Sequence, residues 1–185
     1  EVSSNGNGEI FDAVVCNADL PMAYPDIFGM ASPKKATKGK YSPSCLLYVI
    51  GAKSKLKKGT AHHNIHFSES TNKSFEDLVD KKVIMNDPSY LISIPSITDS
   101  SLCDKDSNIF YVLEPCPNLE SNEDFASNRG HHQDRMKQHL INNGYQLDQI
   151  ECEIMLDPLD WEAQKMYKGT PFSLSHTFLQ SGPYR

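Results

Sequence analysis

The sequence predicts an α+β fold, a mixed and largely antiparallel sheet with flanking helices. Three observations predict it. Short apolar, β-rich runs dominate the first two thirds of the chain, and its best-marked helices come late. No glycine-rich βα turn of the dinucleotide-binding kind occurs. A length of 185 residues suits one domain with a real core and is short for two.

The elements follow in order. Residues 1–9 are polar, and Asn5-Gly6-Asn7-Gly8 reads as a hairpin turn. Ile10–Cys16 is mostly apolar and reads as a buried strand entering the loop Asn17-Ala18-Asp19. Pro21 to Phe28 reads as a short helical turn, and Met30 to Lys40 as a polar linker. Ser44–Ile50 is a strand expected to end at Gly51, and Ala61–Phe67 is another. Ser74–Val79 reads as a short helix with Ser74 at its N-cap. Tyr90–Pro95 and Ile109–Pro115 are strands closed by proline, which cannot donate to a central ladder. Asp134–Asn143 carries Met136, Leu140 and Ile141 at helical spacing, with Gly144 where a C′ glycine belongs. Gln149–Met155 is a strand. Asp157-Pro158 opens a last helix, Asp as N-cap and Pro at N1, running by Leu159, Trp161, Met166 and Tyr167 to a stop at Gly169.

Composition excludes several classes. A net charge of −6 argues against a nucleic-acid footprint. No stretch approaches the roughly 18 apolar residues of a membrane-spanning helix, and a mean hydropathy of −0.50 with 38% apolar residues suits soluble globular material. Lys34, Lys35, Lys38 and Lys40 form one basic cluster and Lys53, Lys55, Lys57 and Lys58 another. They read as solvated loops, or as a peripheral contact with anionic lipid head groups. Five scattered cysteines without a Cys-x-x-Cys pair read as reduced, mostly buried thiols of an intracellular protein. The chain opens on Glu1 without an initiator Met, so a piece of a longer protein is expected.

The histidines are the first chemical suspects. On a strand His62, Asn64 and His66 share one face while His63, Ile65 and Phe67 share the other. Structural hydrogen bonding, a metal pair, or the lining of a cavity all stay open for them. No third metal ligand is marked by spacing, so no metal site is expected. His131-His132 is expected in a solvent-facing polar loop. Asp99 to Asp106 lacks the glycine and terminal Glu of a calcium loop and reads as a solvated turn. No nucleophile elbow, P-loop or His-Glu-x-x-His helix is present, and no catalytic residue can be named.

Six segments in order carry a resemblance that residue chemistry alone does not. They are Asp12-Ala13-Val14-Val15-Cys16-Asn17-Ala18-Asp19; Tyr41-Ser42-Pro43-Ser44 with Tyr48 and Gly51; His63-Asn64-Ile65-His66-Phe67-Ser68; Asp87-Pro88-Ser89-Tyr90 with Pro95 to Leu102; Tyr111 to Leu119; and Tyr167 to Ser181 with Tyr184-Arg185. Together they resemble the bacterial and fungal phytoene desaturases, flavin-dependent carotenoid desaturases of the amine-oxidase-like superfamily. Cys103-Asp104-Lys105-Asp106 stands where that family has Ala-Pro-Glu-Gly, and Glu120 to Gly130 is polar where it opens a helix.

The resemblance implies a two-domain flavoprotein. Residues 1–29 would be an edge segment of the FAD-binding domain and 30–185 the substrate-binding domain. The Gly-x-Gly-x-x-Gly and C-terminal flavin segments would lie outside the chain. It implies dehydrogenation of an acyclic carotenoid precursor in an apolar tunnel, with FAD as hydride acceptor. Implied flavin contacts are Asn17, Asp19, Gln180 and Ser181. Implied tunnel residues are Tyr48, His62, His63, His66, Tyr90, Tyr111, Phe172 and Leu174. Expected partners are a hydrophobic polyene and, peripherally, a membrane surface, with a homo-oligomer left open and no nucleic acid. A carotenoid isomerase, a non-enzymatic lipid carrier and a zinc module are the alternatives.

Overall fold

The computed structural model of the chain describes residues 2–4 and 6–181. At its centre is β3 (Ser44–Lys53), whose run Cys45-Leu46-Leu47-Tyr48-Val49-Ile50 has no polar side to offer water. Such a strand is stable only where both edges are paired and both faces are covered. β6 (Ser107–Cys116) pairs with it along its whole length, from Ser44↔Cys116 to Lys53↔Ser107. β7 (Gln149–Leu156) takes the other edge. β5 (Tyr90–Ser93) adds to β6, and β4 (His63–His66) to β5. The order is β4-β5-β6-β3-β7, and every pairing is antiparallel, as an α+β fold requires.

One face of this sheet is closed by α4 (Phe125–Asn142). Leu46, Tyr48, Ile50, Tyr90, Ile92, Phe110, Val112 and Met155 meet Phe125, Met136 and Leu140 of the helix in the main core. The helix starts at Asp124, whose carboxylate accepts from the Ser127 N–H at 3.0 Å. It ends in a Schellman turn: Gly144 takes φ +78°, Tyr145 N–H donates to the Leu140 carbonyl, and Gly144 N–H to that of Ile141. Arg129 ties the same helix to the sheet, donating to the Met155 carbonyl and pairing with Asp157 and Asp160 at 2.8 Å each.

The opposite face has a smaller cover, α5 (Pro158–Ala163). A capping box between Asp157 and Asp160 opens this helix. Its Trp161 packs on Cys45 and Leu47 and donates its indole N–H to the Cys45 carbonyl at 2.8 Å. Before the sheet lie a hairpin of β1 (Val2–Ser4) and β2 (Asn7–Glu9), then α1 (Leu20–Phe28) and α2 (Lys34–Lys38). α3 (Thr71–Phe75) continues into a π-type turn over residues 76–80 between β4 and β5.

Several sequence expectations need correction. Ile10–Cys16 is not a buried strand: it runs as irregular chain with Ile10 and Val15 about nine-tenths exposed, because no described strand lies beside it to pair with. β3 continues through Gly51 to Lys53, the irregularity falling on the β7 side, where a Cβ on Gly51 would sit 2.7 Å from Cys152 Sγ. β4 is shorter than expected. β6 runs through Pro115, which is tolerated because β5 pairs only as far as Leu113. The linker over residues 30–40 contains α2. Ser74 lies inside α3 rather than at its cap, donating to the Ser70 and Asp87 carbonyls.

α4 begins nine residues before the expected Asp134, so His131 and His132 are helical, and His132 is buried against Glu123. α5 ends at Ala163, short of Met166, Tyr167 and Gly169. The five cysteines are free, but only Cys45 and Cys116 are buried, while Cys16 and Cys152 are exposed. Asn5 of the expected turn, and Tyr184 and Arg185, lie outside the described residues.

Gly169 gives the fold a sensitive point. Its φ is +63°, and a Cβ there would drive into the Pro158 carbonyl and the Leu119 side chain, while its own carbonyl accepts from Ser44. Gly169→Ala is therefore expected to cost about 2–3 kcal/mol from backbone strain plus overpacking, read as a lowered midpoint in urea. An unchanged midpoint would contradict this account of the turn.

Candidate functional site

The face of the sheet not covered by α4 is apolar and largely open. Strand alternation puts every second side chain of each strand there. One row across the five strands is Ile65, Leu91, Leu113, Leu47 and Leu156; the next is His63, Ser93, Tyr111, Val49 and Ile154. Trp161 of α5 covers the Cys45–Leu47 end, with Val49, Leu113, Leu156 and Met166 partly buried against it. Ile65 is 59% exposed, Ile154 60% and Tyr111 37%. A contiguous apolar surface of this kind on a sheet marks a place where something binds.

That face ends in a cavity of about 390 Å³ where β3 begins, β6 ends and the loops beside β4 and β5 meet. Pro115, which shares strand parity with Leu113 and Tyr111, joins the cavity wall to the open face. Pro43, Leu78 and Met85 form its apolar interior, and Phe75 and Phe172 stand at its exposed edge. Two of its serines are turned to the backbone, Ser44 donating to the Gly169 carbonyl at 2.5 Å and Ser74 to that of Asp87 at 2.8 Å, while Ser68 Oγ is buried without a hydrogen-bond partner among the described residues.

The residues singled out from sequence fall in five places. Tyr111 and His63 are on the open face, and Phe172 is at its end cavity. Tyr48, Tyr90 and His66 lie on the closed face under α4: Tyr48 donates to Glu153, and His66 contacts Asn143 and the Tyr145 hydroxyl at 3.0 Å. His62 sits just before β4 with its Nδ1 2.8 Å from the Thr98 hydroxyl. Leu174 is buried beside α2, next to Gln180. Asn17 and Asp19 line a second cleft, about 680 Å³, between α1 and residues 164–173, where the Asp19 carboxylate accepts from Tyr167 N–H at 2.7 Å. Gln180 instead brackets Lys40, accepting from its N–H and donating to its carbonyl, and Ser181 donates to the Thr177 carbonyl.

Comparison with known proteins places the sequence. No family model matches the chain. It is 35% identical over 180 residues to the phytoene dehydrogenase of Streptomyces griseus, covering 94% of this chain and 35% of the relative. It is 30% identical to the zeta-carotene-forming phytoene desaturase of Myxococcus xanthus, covering 94% of this chain and 34% of the relative. It is 30% identical to the 4,4'-diaponeurosporene-forming 4,4'-diapophytoene desaturase of Staphylococcus haemolyticus, covering 98% of this chain and 38% of the relative. This chain belongs to the carotenoid desaturase family. It spans little more than a third of the length of these relatives.

In this desaturase-family chain the closed face holds a buried polar cluster that sequence reading missed. Glu114 is fully buried and pairs with Arg135 of α4 at 2.5 Å, while Arg135 also donates to the Met85 carbonyl. Burial raises the Glu114 carboxyl above its ordinary range, and Arg135 and Tyr90 pull it back. The signal was available: Glu114 has the parity of Phe110 and Val112, and a charge on a core face demands a partner. The cluster pins α4 to the sheet.

His139 of α4 stacks on Tyr90 with ring centroids 3.7 Å apart. Burial, with His66 and Arg135 nearby, lowers its pKa from 6.5 to about 4. A depressed pKa gives stability that is full above the unfolded value and lost as pH falls through the folded one. Urea midpoints should therefore drop between pH 6.5 and about 4. His139→Phe, which keeps the stack, should flatten that drop, leaving the smaller share of His132, also lowered by burial. An unaltered pH slope in the variant would contradict the assignment.

Proposed function

We propose that the chain is the substrate-binding part of an FAD-dependent carotenoid desaturase, and that the open sheet face is a wall of its polyene tunnel. The observation that carries the reading is the joint one: desaturase homology along the chain, and an apolar sheet face left uncovered by the chain's own helices. An acyclic polyene has no polar handle, so its affinity comes from burial, about 0.8 kcal/mol per CH₂. Each dehydrogenation removes a hydride and a proton from adjacent saturated carbons, and FAD, when bound, accepts the hydride. This part of the protein holds the substrate flat and excludes water.

Residues 1–29 we assign to the FAD-binding side. Exposed Ile10, Phe11, Val14 and Val15 support this, since such a run is built to be covered. The cleft beside them offers Asn17, Gln164 and Ser173 as hydrogen-bonding groups suited to a flavin edge, and no glycine-rich cradle for a pyrophosphate. Peripheral membrane contact fits Lys34, Lys35 and Lys38 on α2 beside exposed Phe178 and Leu179. A basic and apolar surface of that kind is attracted to anionic lipid by about 1 kcal/mol per lysine.

The deciding assay incubates the complete protein that carries this chain with FAD and phytoene in liposomes. Masses falling by pairs of hydrogens, with new visible absorbance, are expected. A changed isomer at constant mass would move the reading to an isomerase, and unchanged phytoene without flavin binding to a carrier. Tyr111→Glu, which puts a charge on the tunnel wall, is expected to lower kcat/KM at least about tenfold, or 1.4 kcal/mol. Lys34→Glu with Lys38→Glu should weaken sedimentation with anionic vesicles; equal binding would dismiss α2 as the contact.

A further inference from the structure

The cavity at the end of the open face has a graded build. Ser74, Leu78 and Met85 at its floor are buried, while Thr71, Phe75 and Phe172 at its mouth are exposed. Its volume, about 390 Å³, corresponds to on the order of a dozen carbon-sized groups at about 30 Å³ each, or two or so isoprene units. Ser44 and Ser74 donate to backbone carbonyls and ask no polar group of an occupant; Ser68 Oγ, buried and without a hydrogen-bond partner among the described residues, and His176 are polar points in an otherwise apolar lining. Pro115 lines the cavity and shares strand parity with Leu113 and Tyr111 of the open face.

A rod-like hydrocarbon lying on an apolar sheet has nothing to stop it sliding along its own axis. Burial energy is nearly the same one methylene further on, because the hydrophobic effect is non-directional. Register must then come from shape, and a closed end supplies it. We propose that this pocket seats the terminal isoprenoid end of the polyene and is the stop that fixes which carbon–carbon bond reaches the hydride acceptor. This rests on the desaturase reading above and adds to it a specificity element. Leu78 and Met85 are the floor that sets depth, and Thr71, Phe75 and Phe172 frame the entry.

The test uses the complete protein and two acyclic substrates of the same type but different length, phytoene and 4,4'-diapophytoene. Thr71→Trp, at the exposed entry, fills the mouth so that the chain end stops short of the floor; Met85→Ala deepens the floor. Thr71→Trp is expected to shift the kcat/KM ratio at least tenfold toward the shorter substrate. Met85→Ala is expected to shift the ratio the other way and to move the new double bonds along the chain. Both variants are first compared with the parent by circular dichroism and urea midpoint, and Thr71→Trp alone suffices if Met85→Ala does not fold. An unshifted ratio and unchanged double-bond positions in a folded variant overturn the stop. Should the parent dehydrogenate neither substrate, the desaturase reading fails separately. The length preference is then read as a ratio of binding constants from tryptophan quenching, where Thr71→Trp must still shift it for the proposal to stand.

Discussion

The structure depends on one constraint: β3 is apolar on both faces and must be paired on both edges. β6 and β7 meet the second demand within the chain, and α4 meets half of the first. The other face receives only α5, whose Trp161 covers the Cys45–Leu47 end. Everything functional in the reading follows from that imbalance. A sheet with a complete helical cover would be a closed core; this one has an apolar side looking outward, continuous with a cavity at its end.

The two faces divide their chemistry accordingly. Polar groups are gathered under α4, where Arg135 answers Glu114, and where Arg129 at the rim answers Asp157 and Asp160. One oxygen of each carboxylate, Glu114 Oε2 and Asp157 Oδ2, has no hydrogen-bond partner among the described residues, though the Arg129 guanidinium lies 2.8 Å from the latter. Burying such pairs adds little net stability but fixes how the helix sits. On the open face His63, Ser93 and Tyr111 interrupt the hydrocarbon of the two central rows, and Lys53, paired with Ser107 and Gln149, ends it. Thiols contribute packing rather than reactivity there, Cys45 being pushed up to about 12 by burial.

The N-terminal stretch shows how a correct pattern can mislead. Ile10–Cys16 has the composition of a buried strand, yet strand formation needs a neighbouring strand to accept its hydrogen bonds. None of the described residues supplies one, and its apolar side chains stand in solvent. A run built for burial but left bare is consistent with relatives nearly three times as long as this chain.

What the sequence alone determined was local. Periodicity and composition located the sheet strands, though not their ends. Asp157-Pro158 and Gly144 marked helix termini because caps are read from a few adjacent residues. The ordered motifs from Asp12 to Ser181 indicated the desaturase family. Tertiary structure decided what depends on neighbours distant in sequence. Alternation separates Tyr48 and Tyr90 from Tyr111, but only the placement of α4 says which side is closed. Ser74 looked like a cap until the Asp87 carbonyl came beside it, and His132 looked solvent-facing until Asp124 started the helix early and carried it against Glu123. Glu114 is tolerable only because Arg135, twenty-one residues later, folds back over it. Such contacts carry no short-range signature, since their energy is gained only after the chain has closed the loop between them.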